Sequence, residues 1–165
     1  METGKIKHME KFIIHTDGGS RGNPGPAALG IVIEGLFNRQ GLLKQALPVN
    51  GSRREYGEYI GITTNNEAEY KAVIFALKKL KQLIGNNRAE KAQVIFYMDS
   101  ELLVKQLNYE YKVKEKNIQK LFLEVHNLRL DFQKVEFKHV LRSKNADADQ
   151  LVNQVLDREP NKLDL

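Results

Sequence analysis

The run from Phe12 to Asp17 is apolar until it closes on a carboxylate, and the chain then breaks into Gly18, Gly19, Gly22, Pro24, Gly25 and Pro26. A stretch so patterned reads as a strand followed by a loop, because the glycines and prolines exclude a helix directly after it. Pro24 and Pro26, with no Gly-Lys-Ser/Thr triplet behind them, also exclude a phosphate-cradling loop of the nucleotide-binding kind. Asp17 is therefore expected where the strand ends, at the carboxyl edge of a sheet, which is where open α/β sheets bind ligands. Taken alone, an aspartate before glycine is equally an ordinary turn residue.

Further acids arrive by the same logic. Ala27 to Glu34 reads as a second strand, antiparallel to the first because the connection is short. Gly35 to Ser52 carries only apolar fragments and is read as an extended hairpin excursion. Glu55 to Ile62 reads as an edge strand. Thr63, Thr64, Asn65 and Asn66 offer caps for a helix from Glu67 to about Leu83, with Ala72, Val73, Ala76, Leu77 and Leu80 on its apolar face. Glu69 lies on that face, so its carboxylate points toward the sheet unless first-turn exposure relieves it. After a linker at Gly85 to Asn87, the continuous apolar run Ala92 to Met98 suits a central parallel strand, and it closes on Asp99. Helices follow at Glu101 to Asn108 and Asn117 to about Leu130, separated by a basic loop from Tyr109 to Lys116. Lys134 to Val140 alternates as a last strand. Ser143 and Asn145 offer starts for a closing helix, Ala146 to Leu156, on which Asp149 shares the face of Val152 and Leu156.

With 165 residues and 41% hydrophobic content, the chain has room for one domain with a real core. The absence of cysteine excludes disulfides, thiolate metal sites and cysteine nucleophiles. No apolar run is long enough to span a bilayer, and the first eight residues lack a signal-peptide core, so an intracellular, cytoplasmic protein is expected. Residues 1–10 are expected to be a flexible leader, 11–157 the catalytic domain and 158–165 a tail. A net charge of +5 suits a polyanionic partner. Lysines and arginines around a pocket of acids would hold phosphates while the acids hold cations, although each basic cluster taken singly is equally a solvated helix face.

Asp17-Gly18-Gly19 with Gly22 to Pro26, then Thr64-Asn65-Asn66-Glu67-Ala68-Glu69-Tyr70, then Met98-Asp99-Ser100, and finally Asn145 with Ala148-Asp149 resemble, in order, the four acidic motifs of type 1 ribonuclease H. The resemblance spans Lys11 to Leu156. It implies an α/β fold, a mixed five-stranded sheet of three antiparallel strands continued by two parallel ones, with helices on both faces. It further implies that Asp17, Glu69, Asp99 and Asp149 bind two Mg²⁺ or Mn²⁺ ions and that the RNA strand of an RNA/DNA hybrid is cut to 5'-phosphate and 3'-hydroxyl ends. Asp147 competes with Asp149, but the spacing from Asn145 favours Asp149.

The chain resembles the compact form of the family, without a hybrid-binding domain or a tryptophan-bearing basic protrusion; Lys112 and Lys114 are the candidates to replace the latter in part. Contacts to 2'-hydroxyls are expected from the Gly18 and Gly19 backbone and from Asn23, Asn65 and Asn66. Thr64 with Asn23 resembles the family's pocket for a DNA-strand phosphate, while Thr64 and Asn65 are also plausible helix caps. His139 and Arg142 compete for a helping role near the reacting phosphate. A monomer is expected, and double-stranded RNA stays open as a second substrate. The alternatives are a non-catalytic nucleic-acid binding module on the same fold and a metal-dependent phosphatase.

Overall fold

The computed structural model describes residues 10–35 and 53–159. Of the hairpin excursion expected over Gly35 to Ser52, all but Gly35 lies outside the described residues, as does most of the leader. The elements run β1 (Glu10–Ser20), β2 (Gly25–Glu34), β3 (Arg53–Thr63), α1 (Asn65–Ile84), α2 (Asn86–Ala89), β4 (Ala92–Met98), α3 (Glu101–Leu107), α4 (Lys116–Arg129), β5 (Lys134–His139) and α5 (Ala146–Arg158). A 3₁₀ turn over Arg142–Lys144 leads into α5. The sheet order is β3-β2-β1-β4-β5. β3, β2 and β1 pair antiparallel, and β1-β4 and β4-β5 pair parallel, as the mixed sheet expected from the sequence requires.

The main core lies between one sheet face and α1. Phe12, Ile14, Leu29, Ile31 and Ile33 from alternate strand positions meet Val73, Ala76, Leu77 and Leu80 there, the helical stripe anticipated from the spacing. α4 packs outside α1 and extends this layer through Ile118 and Val125, with ion pairs Lys78 to Glu124 and Lys81 to Asp131 at its rim. α5 covers the opposite face, where a small cluster joins Ala28 to Val152 and Leu156.

Several boundaries differ from expectation, most of them by one or two residues, and the larger differences have identifiable causes. β1 does not stop at Asp17 but runs to Ser20, because β2 stays beside it and pairs Gly18 with Leu29 and Gly19 with Ala28. β1 starts at Glu10, which Arg88 of α2 clamps at 2.9 Å. The stretch after α1 holds the short helix α2, too short to leave a periodicity in the sequence.

The two helix layers come unusually close to the strands where the strands carry glycine. A Cβ added at Gly18 would collide with the backbone of Ala68 and Glu69 in α1, and one at Gly30 would collide with the Ala148 carbonyl of α5. At Gly57 the added atom would meet the Val155 side chain, which can turn aside. Gly30→Ala is accordingly expected to lower stability by about 1–3 kcal/mol, a melting-point drop of about 2–4 °C per kcal/mol, and Gly57→Ala to lower it less. Thermal melts of the two variants check this ranking, and equal melts would mean that α5 does not press on the sheet at Gly30.

Candidate active site

The acids converge because two parallel neighbours end side by side. β4 pairs with β1 only as far as His15 opposite Tyr97, so Asp17 stands two residues beyond that pairing while Asp99 follows the last residue of β4. α1 enters over Gly18, and the missing side chain there lets its first turns lie on the strand and carry Glu69 inward. One carboxylate oxygen from each of Asp17, Glu69 and Asp99 lies within 4.8 Å of the others.

Crowding and burial hold these acids away from their ordinary titration. Asp17 is pushed up to about 8, first by burial, then by the charges of Asp99, Glu69 and Asp149, with a backbone hydrogen bond at Gly18 opposing the shift. Glu69 is pushed up to about 7, mainly by burial, with the Asp99 charge adding to the rise and a hydrogen bond from Ser100 opposing it. Glu69 Oε2 is buried and has no hydrogen-bond partner among the described residues. A buried, unpartnered carboxylate oxygen beside two further carboxylates is costly unless a cation or donors meet it. The donor set is all oxygen, and it fits a hard divalent ion such as Mg²⁺ or Mn²⁺.

The fourth acid comes from α5. Asn145, 1% exposed, sends its side-chain nitrogen to the Thr16 carbonyl at 2.9 Å and so docks the helix start beside Asp17. Asp149 then lines the same cleft as Asp17, Glu69 and Asp99, with Arg142 on the rim. Arg142 Nη2 donates to Asp149 Oδ1 at 3.1 Å. Asp147 is directed away from the cleft, to Arg53 at 2.7 Å, and Arg53 also pairs with Glu34 and Glu55.

The remaining sequence candidates are placed in different parts of the fold. Gly18, Gly19 and Asn65 line the acid cleft. Asn23 and Asn65 brace the loop after β1: Asn65 N–H donates to Asn23 Oδ1 at 3.1 Å, and Asn65 Oδ1 accepts from the Ser20 N–H at 2.9 Å. Thr64 caps α1, accepting from the Glu67 N–H at 3.3 Å. Asn66, Lys112 and Lys114 line a second groove, together with Gln106 and Leu102, and this groove shares no described lining residue with the cleft. His139 ends β5 opposite Met98, the last residue of β4, and is exposed; strand alternation with Val135 and Phe137 leaves its burial open, and β4 ends there and pairs no further along β5. It does not line the acid cleft, whereas Arg142 does.

Asn153 was not among the sequence candidates, and Ser100, though within the third motif, carried no assigned role. Asn153 donates to the Asp149 carbonyl at 3.1 Å and its side-chain nitrogen is 3.4 Å from Asp149 Oδ2; its place four residues on, on the same helical face, was the available signal. Ser100 caps α3, accepting from the Leu103 N–H at 3.2 Å, and also touches Glu69. Glu67 accepts from both Thr63 and Asn117 and thereby ties β3 to α4 across the start of α1.

A mixed sheet with carboxylates gathered where its parallel strands end is an arrangement able to hold divalent ions for phosphate chemistry. Residues 15–155 match the reverse transcriptase-like family. The chain has 39% identity to LC11-RNase H1, solved in complex with an RNA/DNA hybrid, over 90% of this chain and 98% of that one, with a TM-score of 0.75. The N-terminal RNase H domain of Rv2228c from Mycobacterium tuberculosis aligns at 31% identity over 93% of this chain and 99% of that one, TM-score 0.76. Ribonuclease HI of Halobacterium salinarum is 36% identical over 86% of this chain and 62% of its own length. The chain belongs to the reverse transcriptase-like family, among its compact type 1 ribonucleases H. It spans 36% of the length of the full bifunctional protein Rv2228c, to which it is 35% identical.

Proposed function

We propose that this chain is a metal-dependent endonuclease that hydrolyses the RNA strand of RNA/DNA hybrids and leaves 5'-phosphate and 3'-hydroxyl ends. The observation that carries the proposal is the gathering of Asp17, Glu69 and Asp99 around the unpartnered Glu69 oxygen in a chain of the type 1 ribonuclease H kind. With Asp149 they would hold two Mg²⁺ or Mn²⁺ ions, which when bound supply water activation and stabilise the leaving oxygen of an in-line phosphoryl displacement.

The chain's own residues hold the substrate. Gly18 and Gly19 present no side chain at the cleft, so a nucleic-acid backbone can approach there, and the carboxamides of Asn23, Asn65 and Asn66 are suited to 2'-hydroxyls in the shallow minor groove. Thr64, at the start of α1, and Asn23, held to the Asn65 N–H, are the residues that would take a DNA-strand phosphate. Lys112 and Lys114, which share their separate groove with Asn66, bind the duplex backbone away from the cut. Arg142 holds the scissile or product phosphate. The same proposal takes residues 11–157 as the catalytic unit, a monomer working in the cytoplasm; among the described residues no helix is long and apolar enough to cross a membrane.

The test is to present labelled hybrid, double-stranded RNA and double-stranded DNA side by side with Mg²⁺ and with Mn²⁺. Hybrid cleavage with 5'-phosphate products and intact double-stranded DNA is the expected outcome. Hydrolysis of an aryl phosphate in Mn²⁺ with the hybrid left whole would replace this reading by a phosphatase.

Arg142→Ala is expected to lower turnover more than His139→Ala, and neither loss should equal that of an acid. The measurement is single-turnover cleavage of a hybrid. A loss of about a hundredfold in His139→Ala, the size of general acid-base help, beside a silent Arg142→Ala would reverse the assignment.

A further inference from the structure

The four acids are not equivalent. Asp17, Glu69 and Asp99 stand within chelating distance of one another. Asp149 has both carboxylate oxygens engaged by protein donors, Oδ1 by Arg142 and Oδ2 by Asn153. The Arg142 side chain is 78% exposed against 27% for Asp149, so the guanidinium reaches the carboxylate from the solvent side and is free to leave by the same route. It stands on a three-residue 3₁₀ turn at the rim of the cleft.

Building on the nuclease reading above, we propose that Arg142 is a resident counter-cation for Asp149, which keeps this acid from a second divalent ion until a phosphate entering the cleft draws the guanidinium away. A guanidinium and a metal ion compete for one carboxylate, since each needs the same oxygen lone pairs and the two cations repel. The pair is weak enough to be exchanged, because solvent screens an ion pair whose arginine is this exposed. A phosphate offers the guanidinium two oxygens in the same forked geometry as a carboxylate, and so supplies an alternative partner. The Arg142 charge also reaches Asp17 and Asp99, but only Asp149 is held by it in a direct ion pair among the described residues, so the three remaining acids keep their oxygens open to an ion.

Mn²⁺ titration of the substrate-free full chain by calorimetry, with electron paramagnetic resonance on the same samples, tests the proposal. The parent is expected to take one ion readily and to give the spectrum of an isolated ion. Arg142→Ala should take the second ion about tenfold more tightly and show the signal loss of a coupled pair, because removing a charge beside a carboxylate strengthens its hold on another cation. Arg142→Lys, which keeps the charge, should stay close to the parent. If Arg142→Ala leaves second-ion binding unchanged while Asp17→Asn abolishes the first, the gate is overturned and the nuclease reading stands. If neither the parent nor any variant binds Mn²⁺, both are overturned.

Discussion

Asp17→Asn or Asp99→Asn is expected to cut hybrid cleavage by about three orders of magnitude or more, with the protein still folded. Each acid contributes one of the three oxygens that meet within 4.8 Å, and an amide supplies neither the charge nor the second lone-pair-rich oxygen that a hard cation requires. Folding should survive because the substitution relieves repulsion: burial and the neighbouring carboxylates are what push Asp17 up to about 8, and asparagine carries no charge to be repelled. Single-turnover cleavage alongside circular dichroism separates the two effects. Near-normal turnover in either variant would sink the carboxylate-metal mechanism.

In the metal-free protein, stability is expected to fall as pH rises from about 4 to about 8, and Mg²⁺ to restore it. Asp17 near 8 and Glu69 near 7 keep protons in the folded state that the unfolded chain, titrating near 3.8 and 4.5, has already released. The folded state thus binds more protons across that window, so raising the pH favours unfolding until both groups ionise in the fold. A divalent ion that binds the ionised carboxylates of the folded form, and not the unfolded chain, is expected to reverse the trend. At a pH near 8, Asp17→Asn should therefore melt above the metal-free parent, by about 2–4 °C for each kcal/mol of repulsion removed. Added Mg²⁺ should raise the parent's melting point more than the variant's. Equal shifts would mean that these acids are not the site.

The site was largely readable because its acids sit at points where a local pattern ends. Two apolar runs close on Asp17 and Asp99, and Glu69 falls on the stripe of a helix whose period is plain, so each could be aimed at the sheet edge from sequence alone. The structure adds that Asp17 does not terminate its strand. Gly18, Gly19 and Ser20 have no alternation to reveal that β2 continues beside them, and only the pairing does so.

Other features depended on partners far along the chain. Asp147 and Asp149 are two positions apart on one helix and so leave it in opposite directions. That Asp147 meets Arg53, the first residue of the edge strand, follows from the antiparallel layout and not from either local sequence. His139 had two environments open to it, since alternation gives the face of a strand residue but not whether anything packs on that face. The four residues of α2 are too few to show a period.

Asn145 joins Thr16 across 129 positions of sequence and helps to seat the helix that carries Asp149, together with the packing of Val152 and Leu156 on Ala28. A ribosome delivers the chain from its amino end, so β1, β2, β3, α1 and β4 emerge with Asp17, Glu69 and Asp99 well before α5 exists. An unfinished polypeptide therefore carries three of its acids while still lacking the fourth and the arginine beside it. Under the proposed assignment the four-acid set is complete only once the closing helix is released to dock.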